Sequence, residues 1–136
     1  RMEWVADIDG VAYLNDSKAT NVDSVARALE CFEGPVVLIM GGLDKRGDFE
    51  SLLQLVANRC RLLIVCGSAA DKIRAALESV VAVQKAQRLD QAVQMARREA
   101  KRGDTVLLSP GFASFDQYRN YRERGRDFKA LVASLK

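Results

Sequence analysis

Three short polar stretches hold the side chains with chemical reach. Residues 15–21 read Asn-Asp-Ser-Lys-Ala-Thr-Asn, residues 41–49 read Gly-Gly-Leu-Asp-Lys-Arg-Gly-Asp-Phe, and residues 109–116 read Ser-Pro-Gly-Phe-Ala-Ser-Phe-Asp. The first sets the Asp16 carboxylate, the Lys18 ammonium and the Ser17 and Thr20 hydroxyls where a helix begins, and unpaired N–H groups at a helix start favour anions. An N-cap by Thr20 or Asn21 accounts for the same residues equally well. In the second stretch, two consecutive glycines after an apolar run imply close backbone approach or a positive φ. Lys45 then either pairs with a carboxylate or stays solvated. Gly42 and Gly47 have the spacing of a phosphate loop, but Asp48 and Phe49 stand where Lys and Ser/Thr would meet phosphate and magnesium. The chain therefore carries no phosphate loop of its own. In the third stretch, Ser109 and Ser114 flank a turn fixed by Pro110 and Gly111. The chain has no histidine, which removes every Ser-His or Cys-His pair and the commonest metal ligand. Without a base, these serines suit hydrogen bonding to a carboxylate or plain loop structure better than nucleophilic attack.

These stretches need elements to position them. Four β-branched-rich apolar runs, at 36–40, 62–66, 80–83 and 105–108, are continuous rather than alternating, as strands buried on both faces are. Segments of helical period lie between them, at 22–32, 49–60, 69–77 and 89–100. Strand and helix in alternation give an α/β fold with a mainly parallel, Rossmann-like sheet and helices on both faces. Trp4 to Ile8 and Val11 to Leu14 flank Asp9-Gly10, a strong hairpin signal. Tyr118, Tyr121, Gly125, Phe128, Val132 and Leu135 step by three or four along a C-terminal helix, with a break expected at Gly125 because glycine costs about 1 kcal/mol there. In open α/β sheets ligands gather at the carboxyl ends of strands, where all three polar stretches fall.

Composition sets the bounds. The 136 residues are 49% hydrophobic and 29% charged, globular values for one domain, residues 1–136, with no membrane-length apolar run. Cys31, Cys60 and Cys66 are odd in number and lack CxxC spacing, so they read as reduced core residues of a cytoplasmic protein. The net charge of +3 resides in residues 116–136, where six basic side chains face three acidic ones. Arg119, Arg122, Arg126 and Lys129 step as a solvated helix face does, with no aromatic platform, so neither a nucleic acid nor a membrane is expected as partner. The first residue is Arg1 rather than Met, which is compatible with a piece of a longer protein.

The stretch at 15–21, the Gly-Gly-Leu-Asp-Lys run at 41–45 and the pattern Ser-Pro-x-x-Ala-Ser-Phe-Asp-x-x-x-Asn-Tyr-x-x-Arg-Gly at 109–125 together resemble the C-terminal domain of the Mur ligases, along essentially the whole chain. Within that family the D-glutamate-adding branch is most similar, while the Asp-Asn-Pro-Arg motif of the diaminopimelate-adding branch is absent. The resemblance implies a three-domain enzyme of peptidoglycan synthesis. An N-terminal domain binds the UDP-sugar, a central domain carries the phosphate loop, and the present domain closes over ATP and binds the amino acid. It implies ATP and Mg²⁺ bound mainly by the central domain, with UDP-N-acetylmuramoyl-L-alanine and D-glutamate as the other substrates. It places Thr20, Lys45, Ser114 and Tyr121 on the D-glutamate, Arg1, Asp16 and Lys18 on the nucleotide, and Lys18 in the catalytic role near the phosphates. The isolated domain is expected to be inactive and the protein a monomer. Gly111-Phe112 departs from the family's usual Ala-Cys, and Tyr121 from its usual Phe. A non-catalytic α/β ligand-binding or regulatory module is the alternative.

Overall fold

The computed structural model describes every residue except Arg1 and Phe115. Six strands form one sheet: β1 Glu3–Ile8, β2 Val11–Asn15, β3 Val36–Gly41, β4 Cys60–Cys66, β5 Val83–Lys85 and β6 Thr105–Gly111. Their spatial order is β1-β2-β6-β3-β4-β5. Among the described residues β1 pairs with β2 antiparallel and every other pair is parallel. Asp9 and Gly10 turn that hairpin with φ of 54° and 79°, the two positive values that a type I′ turn needs.

Five helices accompany the sheet among the described residues: α1 Val22–Leu29, α2 Glu50–Arg59, α3 Ala70–Leu77, α4 Leu89–Glu99 and α5 Tyr121–Ala133. The continuous apolar runs are explained by helices on both faces. Val36, Leu38, Met40, Leu63, Val65 and Leu107 pack toward α1, α2 and α3. Their neighbours Val37, Ile39, Ile64, Val106 and Leu108 pack toward α4 and α5. The strands at the centre thus bury both rows, each large side chain contributing about 1.5–3 kcal/mol.

The structure departs from the sequence reading in several places, Tyr118 and Leu135 lying outside α5 and Cys60 opening β4 rather than closing α2. The apolar run at 80–83 is mostly a turn, and β5 begins at Val83, because Val80 N–H returns to the Leu77 carbonyl while Val80 and Val81 still pack on the core. Helix α1 ends at Leu29, where Cys31 and Phe32 bond back three residues and tighten the chain into a turn. Cys31 is exposed rather than in the core, whereas Cys60 is half-buried and Cys66 buried. Burial pushes the Cys60 thiol up to about 12 and the Cys66 thiol up to about 11. Finally, α5 runs unbroken through Gly125. A Cβ there would lie 2.9 Å from Asn15 Nδ2 and 3.3 Å from Ser17 Cβ, so the glycine lets the helix sit against the end of β2. Among the described residues no helix is long and apolar enough to cross a membrane.

Candidate functional site

The carboxyl ends of β2, β6, β3 and β4 bring the three polar stretches to one rim, and backbone bonds lace them together. Asp16 N–H donates to the Leu108 carbonyl at 2.7 Å and Gly111 N–H to the Ala19 carbonyl at 2.8 Å, tying the 15–21 loop to the end of β6. Leu43 N–H donates to the Ala113 carbonyl at 2.8 Å, tying the loop after β3 to the loop after β6. These close approaches explain the paired glycines. A Cβ on Gly41 would stand 1.9 Å from the Cys66 carbonyl oxygen, and one on Gly42 2.3 Å from that of Ala113, with φ near +150° at both.

Helix α5 adds a second set of ties. Asn120 caps it, its Oδ1 accepting from Glu123 N–H at 2.9 Å, which sets the first turn against the 15–21 loop. Ser17 Oγ donates to the Tyr121 carbonyl at 2.7 Å. Arg124 is only 4% exposed. Its guanidinium donates to Ser17 Oγ at 2.9 Å, to the Ser17 carbonyl at 2.8 Å and to the Phe112 carbonyl at 2.9 Å. Burial lowers its pKa to about 10, opposed chiefly by the nearby Asp116 carboxylate.

The residues singled out from the sequence occupy this rim in different ways. Lys45 reaches back to the first stretch, its ammonium donating to the Thr20 carbonyl at 2.8 Å. It lines a groove of about 290 Å³ with Asn21, Asp23, Arg46, Asp48 and Gly111. Lys72 on α3 holds the Lys45 backbone, donating to its carbonyl at 2.7 Å while pairing with Asp44, also at 2.7 Å. Ser114 is 2% exposed, and its hydroxyl is the one buried side-chain polar atom without a hydrogen-bond partner among the described residues. Tyr121 lies elsewhere on the rim. It lines a groove of about 270 Å³ with Ser17, Lys18, Arg122 and Arg126, and the Arg122 guanidinium sits 5.1 Å from its ring centre. Lys18 also borders a neighbouring groove with Asp16 and Arg27. Asp16 accepts from the Ser109 hydroxyl at 2.9 Å; burial raises its pKa, with the Ser109 bond opposing. Ser109 therefore serves a carboxylate of the protein itself. Arg1 lies outside the described residues. Asn21, not Thr20, caps α1, accepting from Ser24 N–H at 2.9 Å.

Of the two departures in the third stretch, Gly111 has φ +78°, and Phe112 is fully buried against Phe49, ring centres 6.0 Å apart. Phe112 fills the core beneath the rim. Arg124 and Lys72 escaped the sequence reading. For Arg124 a signal existed: it stands four residues before Phe128, on the buried side of α5, inside the third motif. Nothing in the sequence marks Lys72, whose role depends on where the loop after β3 folds. Among the described residues no three acidic, cysteine or histidine side chains converge as a metal cage.

The chain is similar to known proteins along its length. The family model described as "Mur ligase, glutamate ligase domain" matches residues 1–112. A UDP-N-acetylmuramoylalanine–D-glutamate ligase of Desulfatibacillum aliphaticivorans is 51% identical over 99% of the chain, which spans 30% of that relative. One of Methylococcus capsulatus is also 51% identical over 99% of the chain, spanning 29% of its own length. The solved structure of a UDP-N-acetylmuramoyl-L-alanyl-D-glutamate–2,6-diaminopimelate ligase matches all of the chain and 32% of its own, with a TM-score of 0.63 at 16% identity. That likeness bears on the fold alone. The chain thus spans about a third of the length of the relatives it matches.

Proposed function

The chain belongs to the Mur ligases, and from that premise we propose that it is the single amino-acid-binding domain, residues 1–136, of an ADP-forming ligase adding D-glutamate to UDP-N-acetylmuramoyl-L-alanine in peptidoglycan synthesis. In this reading the terminal phosphoryl group of ATP passes to the alanyl carboxylate. The D-glutamate amine attacks the resulting acyl phosphate, and the tetrahedral intermediate expels phosphate. The enzyme is a cytoplasmic monomer, with Mg²⁺ and most of the nucleotide held by its central domain and the UDP-sugar by its N-terminal domain.

The present domain contributes position and charge. Lys45, Thr20 and Ser114 receive the amino acid, with the Lys45 ammonium and the hydroxyls meeting its carboxylates, while Tyr121, in the neighbouring groove with Lys18, would reach the amino acid only from that side. Lys18 meets the phosphates as charge develops on them, and Asp16 and Arg1 meet the nucleotide. The observation that carries this reading is Ser114. A buried hydroxyl with no partner among the described residues costs about 1–3 kcal/mol; Ser114 lies two residues beyond Phe112 of the Lys45 groove, and a substrate carboxylate oxygen admitted beside that loop would satisfy it. The identity to D-glutamate ligases supports the choice of amino acid.

The test is Lys45→Ala in the full-length protein. Losing a charge-assisted bond to a substrate carboxylate is expected to raise the D-glutamate KM about 10- to 100-fold. An unchanged KM would remove Lys45 from the site.

A further inference from the structure

The substrate-binding reading above uses side chains from loops far apart in sequence, and something must hold those loops in register. Arg124 touches both. Two of its N–H groups bond Ser17, next to Lys18, and a third bonds the Phe112 carbonyl, two residues before Ser114. The acceptors are neutral, and the side chain is buried. Ser17 Oγ in turn donates to the Tyr121 carbonyl, so the clamp also fixes the first turn of α5.

We infer that Arg124 is a positioning residue that couples the 15–21 loop, with Lys18 for the nucleotide and Thr20 for the amino acid, to the loop after β6 that carries Ser114, so that both substrates depend on one buried guanidinium. This inference rests on the ligase reading. A planar fork with several fixed N–H directions spans three acceptors on two loops; an ammonium on a flexible stem does not. Relaxing the fork leaves the charge in place and lets the loops drift, and displacement of a substrate-holding group by about 1 Å costs up to about 100-fold in rate.

The experiment is steady-state kinetics of the full-length protein carrying Arg124→Lys, with the melting temperature measured alongside. The first reading is native protein with ATP and UDP-N-acetylmuramoyl-L-alanine. Absence of D-glutamate-dependent phosphate release there would overturn the ligase reading and this inference with it. With that release present, Arg124→Lys is expected to raise the KM for D-glutamate and the KM for ATP together, each about tenfold or more. A lowered melting temperature with both KM values within twofold of native would show a merely structural role and overturn the inference. A rise in one KM alone would overturn the coupling. Should Arg124→Lys fail to fold, Ser17→Ala removes a single acceptor and is expected to raise both KM values about two- to fivefold. No change in either would contradict the clamp.

Discussion

Replacing Ser114 with alanine deletes a buried hydroxyl that bonds nothing among the described residues. Stability should therefore hold or rise by up to about 1 kcal/mol, while the D-glutamate KM rises about tenfold. Urea unfolding beside kinetics separates the two effects, and a marked loss of stability would mean the hydroxyl serves the fold. Asp16 makes a prediction about pH. Its pKa is raised by burial, so the folded state favours the protonated form. That contribution is fully present below the ordinary value near 3.8 and is lost as pH rises through the folded value. Asp16→Asn still accepts from Ser109 and cannot ionise. It is expected to melt higher than native protein at pH 7, with the gap closing below about pH 4. Parallel melting profiles across that range would contradict it. Side-chain chemistry was readable from sequence where residue type limits it, as with the missing histidine and the cation at Lys45. Partnership was not: no pattern announces that Ser109 serves Asp16 or that Lys72 holds the Lys45 backbone.

At the scale of elements, the strands and helices were legible because period and burial agree. The type I′ hairpin followed from two residues, Asp9 and Gly10. The misreadings, at Val80–Val81 and at Gly125, arose where tertiary packing overrides local preference. An apolar turn can plug a core, and a helix glycine can be chosen for what lies opposite it. The paired glycines show the same force. Gly41→Ala would drive a Cβ to 1.9 Å from the rigid Cys66 carbonyl at a φ of +150°, and is expected to cost more than about 3 kcal/mol, read as a lower urea midpoint. A buried charge at the other end of the sheet gives the contrast. Asp104, before β6, accepts from Arg61 at 2.6 Å and from Lys101 N–H at 2.8 Å and is 4% exposed. Asp104→Ala should destabilise by about 1–3 kcal/mol, through the Lys101 amide left unpaired and the lost bond to Arg61, which is partly exposed and keeps the Glu99 carbonyl, yet leave substrate KM values unchanged in the folded protein.

For the molecule as a whole, the rim is a collecting surface. It gathers hydroxyls, ammonium groups and backbone N–H groups from three loops and offers no metal cage among the described residues. Such a surface binds and orients; in the proposed ligase the central domain holds ATP and Mg²⁺, so the 136-residue chain alone is expected to turn over no ATP, and phosphate release by it would contradict that division of labour. The central claim is that this rim receives D-glutamate. It is tested most directly by phosphate release from the full-length protein with ATP, magnesium and UDP-N-acetylmuramoyl-L-alanine, comparing D-glutamate, L-glutamate and other amino acids. Release that depends on D-glutamate is the predicted result; release that ignores the amino acid supplied would contradict the account.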